Sequence, residues 1–148
     1  MTSNAGRYTR FFALAASVFL LDRVMKWATL RFIDAPVVVI PHLITLTRTY
    51  NTGIAFGLAK GFGIFNLIAA LLIVGWILWF YKKEQTHTLP LALIIGGAIG
   101  NIIDRILYYP NGVLDMISVP WFSVFNLADA AITLGAIILL IELMKKKD

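Results

Sequence analysis

With 148 residues, 59% of them hydrophobic, a formal net charge of +5 and no cysteine, the chain is too apolar for an ordinary soluble domain. The missing cysteines exclude disulfides, thiolate catalysis and thiolate metal sites. The basic residues flank apolar runs and form no stripe, which is the pattern of membrane topology and lipid contact and excludes nucleic-acid binding.

Four apolar runs are long enough to cross a hydrocarbon core of about 30 Å, which takes about 20 helical residues. They are Phe11–Leu30, Phe62–Tyr81, Leu89–Tyr108 and Val124–Leu143. Strands on their own leave backbone groups unsatisfied in lipid, so the runs are expected to be helices of a single membrane domain over residues 1–148. The first run resembles a signal peptide behind Arg7 and Arg10. It is too long for one, and it carries Asp22, Arg23 and Lys26, so it is expected to be retained. Arg7, Arg10, Lys82, Lys83, Lys145, Lys146 and Lys147 fall on one side of the predicted spans. Only Arg31, Arg48 and Lys60 fall on the other, so both termini are expected in the cytoplasm.

The outer connection from Arg31 to Gly61 is too long to lack structure of its own. Val37–Ile40 and Leu43–Thr47 are rich in β-branched residues and read as short strands. Asn51-Thr52-Gly53 reads as a turn, and Ile54–Leu58 as a short interfacial helix. Asp115 falls in a short outer connection, and Asp129 about one turn inside the last predicted helix.

Given this topology, the costly polar residues share one depth. Asp22 and Lys26 are i,i+4 in the outer half of the first helix; Asn101, Asp104 and Arg105 share a face near the outer end of the third. Asn126 and Asp129 are i,i+3 at the outer start of the fourth. Gly96-Gly97-Ala98-Ile99-Gly100, and Ala128, Ala130, Ala131 and Gly135, are small residues that let helix backbones approach. An ionisable residue within a membrane span marks function by default. Two carboxylates gathered at one membrane surface suggest acid/base hydrolysis.

These residues carry a resemblance: Asp22…Lys26, Asn51-Thr52-Gly53-Ile54-Ala55-Phe56, Gly96-Gly97-Ala98-Ile99-Gly100-Asn101-Ile102-Ile103-Asp104-Arg105, Val113-Leu114-Asp115 and Phe125-Asn126-Leu127-Ala128-Asp129. In this order, over nearly the whole chain, the sequence resembles the lipoprotein signal peptidase (signal peptidase II) family, aspartyl proteases of the bacterial inner membrane. The resemblance implies an all-α integral membrane protein of four transmembrane helices, with an extracytoplasmic β-cradle over about 31–61 and an interfacial amphipathic helix. It implies Asp115 and Asp129 as catalytic dyad, no cofactor or metal, and inhibition by globomycin-like cyclic peptides. The implied partners are membrane lipid and a prolipoprotein carrying a diacylglyceryl cysteine, cut by a monomer on the outer side of the membrane. Ile54 stands where the family more often has a small residue, and Met116 where it often has an aromatic.

A metal-free hydrolysis needs a base for water and an acid for the developing oxyanion, and two close carboxylates sharing a proton provide both. Asn51, Gly53, Asn101, Arg105 and Asn126 are expected to support the dyad or bind substrate. Asp22 with Lys26, and Asp104 beside Arg105, are expected to be scaffold ion pairs. Asn66 reads as a helix-packing hydrogen bond, His42 and His87 as isolated, and Trp76, Trp79, Tyr81 and Trp121 as interfacial anchors. The competing reading is a proton-conducting bundle using the same charges as a relay; a non-catalytic assembly subunit is a third. The nearly apolar inner halves of the later helices disfavour a relay.

Overall fold

The third helix is the axis of the computed structural model, which describes residues 4–52 and 63–145. In chain order the elements are α1 (Asn4–Phe32), β1 (Val37–Ile40), β2 (Ile44–Asn51), α2 (Gly63–Glu84), α3 (Thr88–Leu107), β3 (Val113–Ser118) and α4 (Leu127–Lys145). The four predicted helices all form. α1 is the most extended relative to expectation: its 29 residues begin seven residues before the apolar run and end two residues after it.

α3 packs against α1, α2 and α4 because its sequence leaves room for them. A Cβ at Gly96 would lie 2.5 Å from the Ala15 carbonyl oxygen, and one at Gly97 2.5 Å from that of Ala128. Without glycine at these two positions neither neighbouring backbone could come so close. α2, α3 and α4 are each long and apolar enough to cross a membrane. α2 and α4 turn most of their apolar side chains outward, among them Leu72, Trp76, Trp79, Ile137 and Leu140. Such exposed apolar faces suit lipid.

One end of the bundle closes over Phe11, Ala15, Ile77, Tyr81, Leu91, Ala92 and Ile95. Tyr81 is not an interfacial anchor. It is buried, stacked on Phe11 with ring centroids 4.0 Å apart, and its hydroxyl donates to the Arg7 carbonyl at 3.1 Å. Its polar tip finds partners inside the helix packing, so it has no need of the interface. Trp76, Trp79 and Trp121 are exposed. His87 is not isolated: its Nδ1 meets a carboxylate oxygen of Glu142 at this same end.

At the other end lies an antiparallel sheet of order β1-β2-β3. Both expected strands are present, and β2 runs on to Asn51; the expected Asn51-Thr52-Gly53 turn runs into residues outside the described ones. The third strand, β3, holds Asp115 within the short connection expected between α3 and α4, where no strand was expected. Its register sets Asn51 opposite Val113, Tyr50 opposite Leu114 and Thr49 opposite Asp115. Gly53 and the Ile54–Leu58 segment lie outside the described residues.

Candidate active site

Asp115 and Asp129 arrive from different elements and meet through two asparagines. Asn126 Nδ2 donates to Asp115 Oδ1 at 2.7 Å, and Asn101 Nδ2 to Asp129 Oδ1 at 2.7 Å. The two asparagines are themselves joined, Asn126 Nδ2 to Asn101 Oδ1 at 3.2 Å. Asn51 Nδ2 donates to the second oxygen of Asp115 at 3.1 Å. This last bond follows from the sheet: Asn51 faces Val113, which places it diagonally across from Asp115 on one face. Gly112 makes that register accessible. It has φ +90°, and a Cβ there would fall 2.2 Å from the Asn51 carbonyl oxygen.

Asp129 is also part of a helix start. Asn126 Oδ1 accepts the Asp129 N–H at 2.9 Å, while Asp129 Oδ2 accepts the Asn126 N–H at 3.3 Å. This is a reciprocal capping box, and it fixes the carboxylate at the first turn of α4, nearer the helix end than expected. The Asn-x-x-Asp spacing before an apolar run was a legible signal for it.

Beneath the pair lies a network of four buried or half-buried charges. Lys26 Nζ meets Asp22 Oδ2 at 2.9 Å and Asp104 Oδ2 at 2.6 Å, and Arg23 bridges the same two aspartates. Two cations therefore balance two anions. The expected Asp22–Lys26 pair is present, but Asp104 does not pair with its neighbour Arg105. Side chains at i and i+1 diverge on a helix, so Asp104 points at α1. Arg105 instead donates to the Asn101 carbonyl at 3.2 Å. The role of Arg23 was not anticipated, because its partners lie on two helices.

Each network aspartate also grips the backbone one residue before a site aspartate. Asp22 Oδ1 accepts the Ala128 N–H at 3.1 Å, next to Asp129; Asp104 Oδ2 accepts the Leu114 N–H at 3.1 Å, next to Asp115. Asn126 Nδ2 adds a bond to the Leu114 carbonyl at 3.3 Å. Met116 is buried in this region and accepts from Thr29 Oγ1 at 3.4 Å.

A cavity of about 430 Å³ opens in front of these residues. Asn51, Asn101, Arg105, Asp115 and Asp129 line its polar end; Ala69, Ala70, Ile73, Ile94 and Ile132 line the rest. Asn66 lines it as well, and its Nδ2 is buried with no hydrogen-bond partner among the described residues, so the expected packing bond to that nitrogen is not made among them.

Burial and, after it, the charge of Asp129 push Asp115 up to about 7, against the pull of the Asn51 and Asn126 donors. The unfolded value is about 4. Between the two, the native protein holds a proton that the unfolded chain has lost, so stability falls as pH rises through this window. Thermal unfolding in detergent is expected at a higher temperature at about pH 5 than at about pH 8, and Asp115→Asn should narrow the difference. An undiminished difference in the variant would exclude Asp115 as its source.

The chain was compared with known proteins. The sequence profile of the family described as Signal peptidase (SPase) II matches residues 14–145. The lipoprotein signal peptidase of Pseudomonas fluorescens (strain Pf-5) is 37% identical, covering 99% of this chain and 95% of that protein. The lipoprotein signal peptidase of Pseudomonas aeruginosa (strain PAO1) is 39% identical, covering 88% and 85%. A bacterial membrane enzyme solved by the in meso method at 2.3 Å superposes with a TM-score of 0.85 at 29% identity, over 93% of this chain and 89% of that one. A second, solved at 1.9 Å, gives a TM-score of 0.80 at 30% identity, over 91% and 92%. Sequence and fold agree over almost the full length, and the chain belongs to the signal peptidase II family.

Proposed function

We propose that this chain is a membrane aspartyl endopeptidase with Asp115 and Asp129 as its catalytic pair. It removes the signal peptide from prolipoproteins, cutting before a diacylglyceryl-modified cysteine. The observation that carries the reading is the convergence of both carboxylates, through Asn101 and Asn126, on one cavity whose remaining walls are mostly apolar. A lipidated peptide needs both features, a polar end for the scissile bond and an apolar bed for the chains beside it.

One carboxylate of the pair is ionised and takes a proton from water; the other is protonated and donates to the scissile carbonyl as negative charge develops there. The proton belongs to the pair. Asn51, Asn101 and Asn126 hold the carboxylate oxygens in place, and Arg105 lines the cavity as a cation for the substrate's carbonyl oxygens. The residues between this end of the bundle and the Phe11–Tyr81 cluster supply no chain of titratable groups among those described, which favours hydrolysis over a proton relay.

In this reading α1 is a fourth span in a bacterial cytoplasmic (inner) membrane. Its buried charges are offset by Arg23, Lys26 and Asp104, which lowers the cost of placing them at membrane depth. The catalytic pair lies on the outer side and both termini are cytoplasmic. In this reading the chain acts as a monomer. The test is purified protein incubated with a diacylglyceryl-modified prolipoprotein. A mass drop at the lipidated cysteine, in EDTA as in its absence and blocked by a globomycin-like cyclic peptide, is the expected outcome. An intact substrate, or cleavage that EDTA stops and zinc restores, would overturn the reading. Orientation is tested with Pro36→Cys and Glu84→Cys. An impermeant thiol reagent on intact cells should label position 36 and not 84, and the reverse would refute the topology.

A further inference from the structure

Asn66, Ala69, Ala70 and Ile73 recur at i, i+3, i+4 and i+7, so one face of α2 lines the cavity. α2 packs on α3 and makes no comparable contact with α4. The cavity is therefore the gap between α2 and α4, and Thr133 carries its lining along α4 beyond Asp129. The two alanines of α2 keep this gap wide, with the amide of Asn66 set in its wall.

That amide is out of place on structural grounds. Asn66 is 7% exposed, and its Nδ2 is buried with no partner among the described residues. An unpaired buried donor is costly, most of all in a helix long and apolar enough to cross a membrane. An apolar side chain of the same size would pack α2 at lower cost. Asn66 lines the cavity, so an acceptor for its amide is one that arrives with the occupant. For a neutral N–H in an apolar wall, the matching group is a carbonyl oxygen.

We propose that Asn66 is a substrate-binding residue that donates its side-chain N–H to a carbonyl oxygen of the bound lipidated prolipoprotein, in the gap between α2 and α4. The inference rests on the proposed prolipoprotein activity. That substrate offers the chemistry from two sources, the ester carbonyls of its diacylglyceryl group and the peptide carbonyls of its signal segment.

The experiment compares full-length wild type with Asn66→Leu, in detergent, on a diacylglyceryl prolipopeptide and on the same peptide carrying a dialkyl ether lipid that has no ester carbonyl. Loss of one neutral hydrogen bond should raise KM about 3- to 10-fold with kcat unchanged. The unfolding temperature should hold or rise, because leucine removes an orphan donor. If the wild type loses the same factor on the ether lipid and the variant loses no more, the acceptor is a lipid ester. If the variant's deficit persists on the ether lipid, it is a peptide carbonyl. Unchanged KM in a folded variant overturns the proposal. So does a lower unfolding temperature with a matching fall in kcat, which would make Asn66 a packing residue. Asp115→Asn runs beside them: if it still cleaves, the catalytic reading fails; if it is inactive while Asn66→Leu binds like wild type, only this inference fails.

Discussion

Asp115→Asn and Asp129→Asn should each abolish cleavage of a lipidated prolipoprotein while the protein stays folded in detergent. Asparagine keeps the size and shape of aspartate but neither takes a proton from water at neutral pH nor has a carboxylic proton to give, so each variant loses the base or the acid that the replaced carboxylate supplies. Acid/base participation contributes about 10²- to 10⁴-fold to rate, and a pair that shares one proton loses both functions at once. The structural cost is small by comparison. At 115 the two donors, from Asn126 and Asn51, meet one oxygen and one amide in place of two oxygens, so one bond is lost. Against that, a buried group whose ionisation was opposed by its surroundings is replaced by a neutral one. At 129 the capping box keeps one acceptor, and losing a cap costs about 1 kcal/mol. Cleavage rate and thermal unfolding are read on the same preparations. Near wild-type cleavage by either variant would remove that residue from the pair.

Lys26→Ala should do the opposite, damaging stability first and activity as a consequence. Lys26 is 1% exposed and is shared by Asp22 and Asp104, both fully buried. Removing it leaves two carboxylates with Arg23 alone, and breaking a buried pair in this way costs about 3–5 kcal/mol. The loss reaches the site by a definite route. Asp22 holds the Ala128 N–H and Asp104 the Leu114 N–H, so loosening either frees the backbone next to Asp129 or Asp115. The unfolding temperature should fall well below that of the two asparagine variants, and cleavage should fall with it. A Lys26→Ala protein as stable as wild type would show that the network is not part of the scaffold. An Asp115→Asn or Asp129→Asn protein that unfolds as easily would assign that aspartate to the scaffold instead.

Much of the layout was legible in the chain. Apolar runs of about 20 residues identify helices because lipid leaves the backbone no alternative. The β-branched stretch near Val37 identifies a strand, and Gly96-Gly97-Ala98-Ile99-Gly100 identifies the helix that others approach. The site aspartates and their asparagines stood out because polar residues are few and costly in such a sequence. Local pattern was silent or misleading where partners come from afar. β3 has no alternation to reveal it, being buried along Val113–Met116, and becomes a strand only through pairing with β2. Asp104 and Arg105, adjacent in sequence, went to different partners because a helix points neighbouring side chains apart.

The sequence by itself determined the class of the protein, its helices, its family resemblance and the short set of residues able to do chemistry, since each depends on local composition or linear spacing. Only the tertiary structure decided how that set divides. It gave Asp22 and Asp104 to an ion network that grips backbone, placed Asp115 and Asp129 on a shared pair of asparagines, and left the Asn66 donor unpaired in a cavity wall. The physical reason is that charge pairing, desolvation and hydrogen-bond satisfaction depend on distances between elements, and those distances exist only once α1, α3, α4 and the sheet have packed.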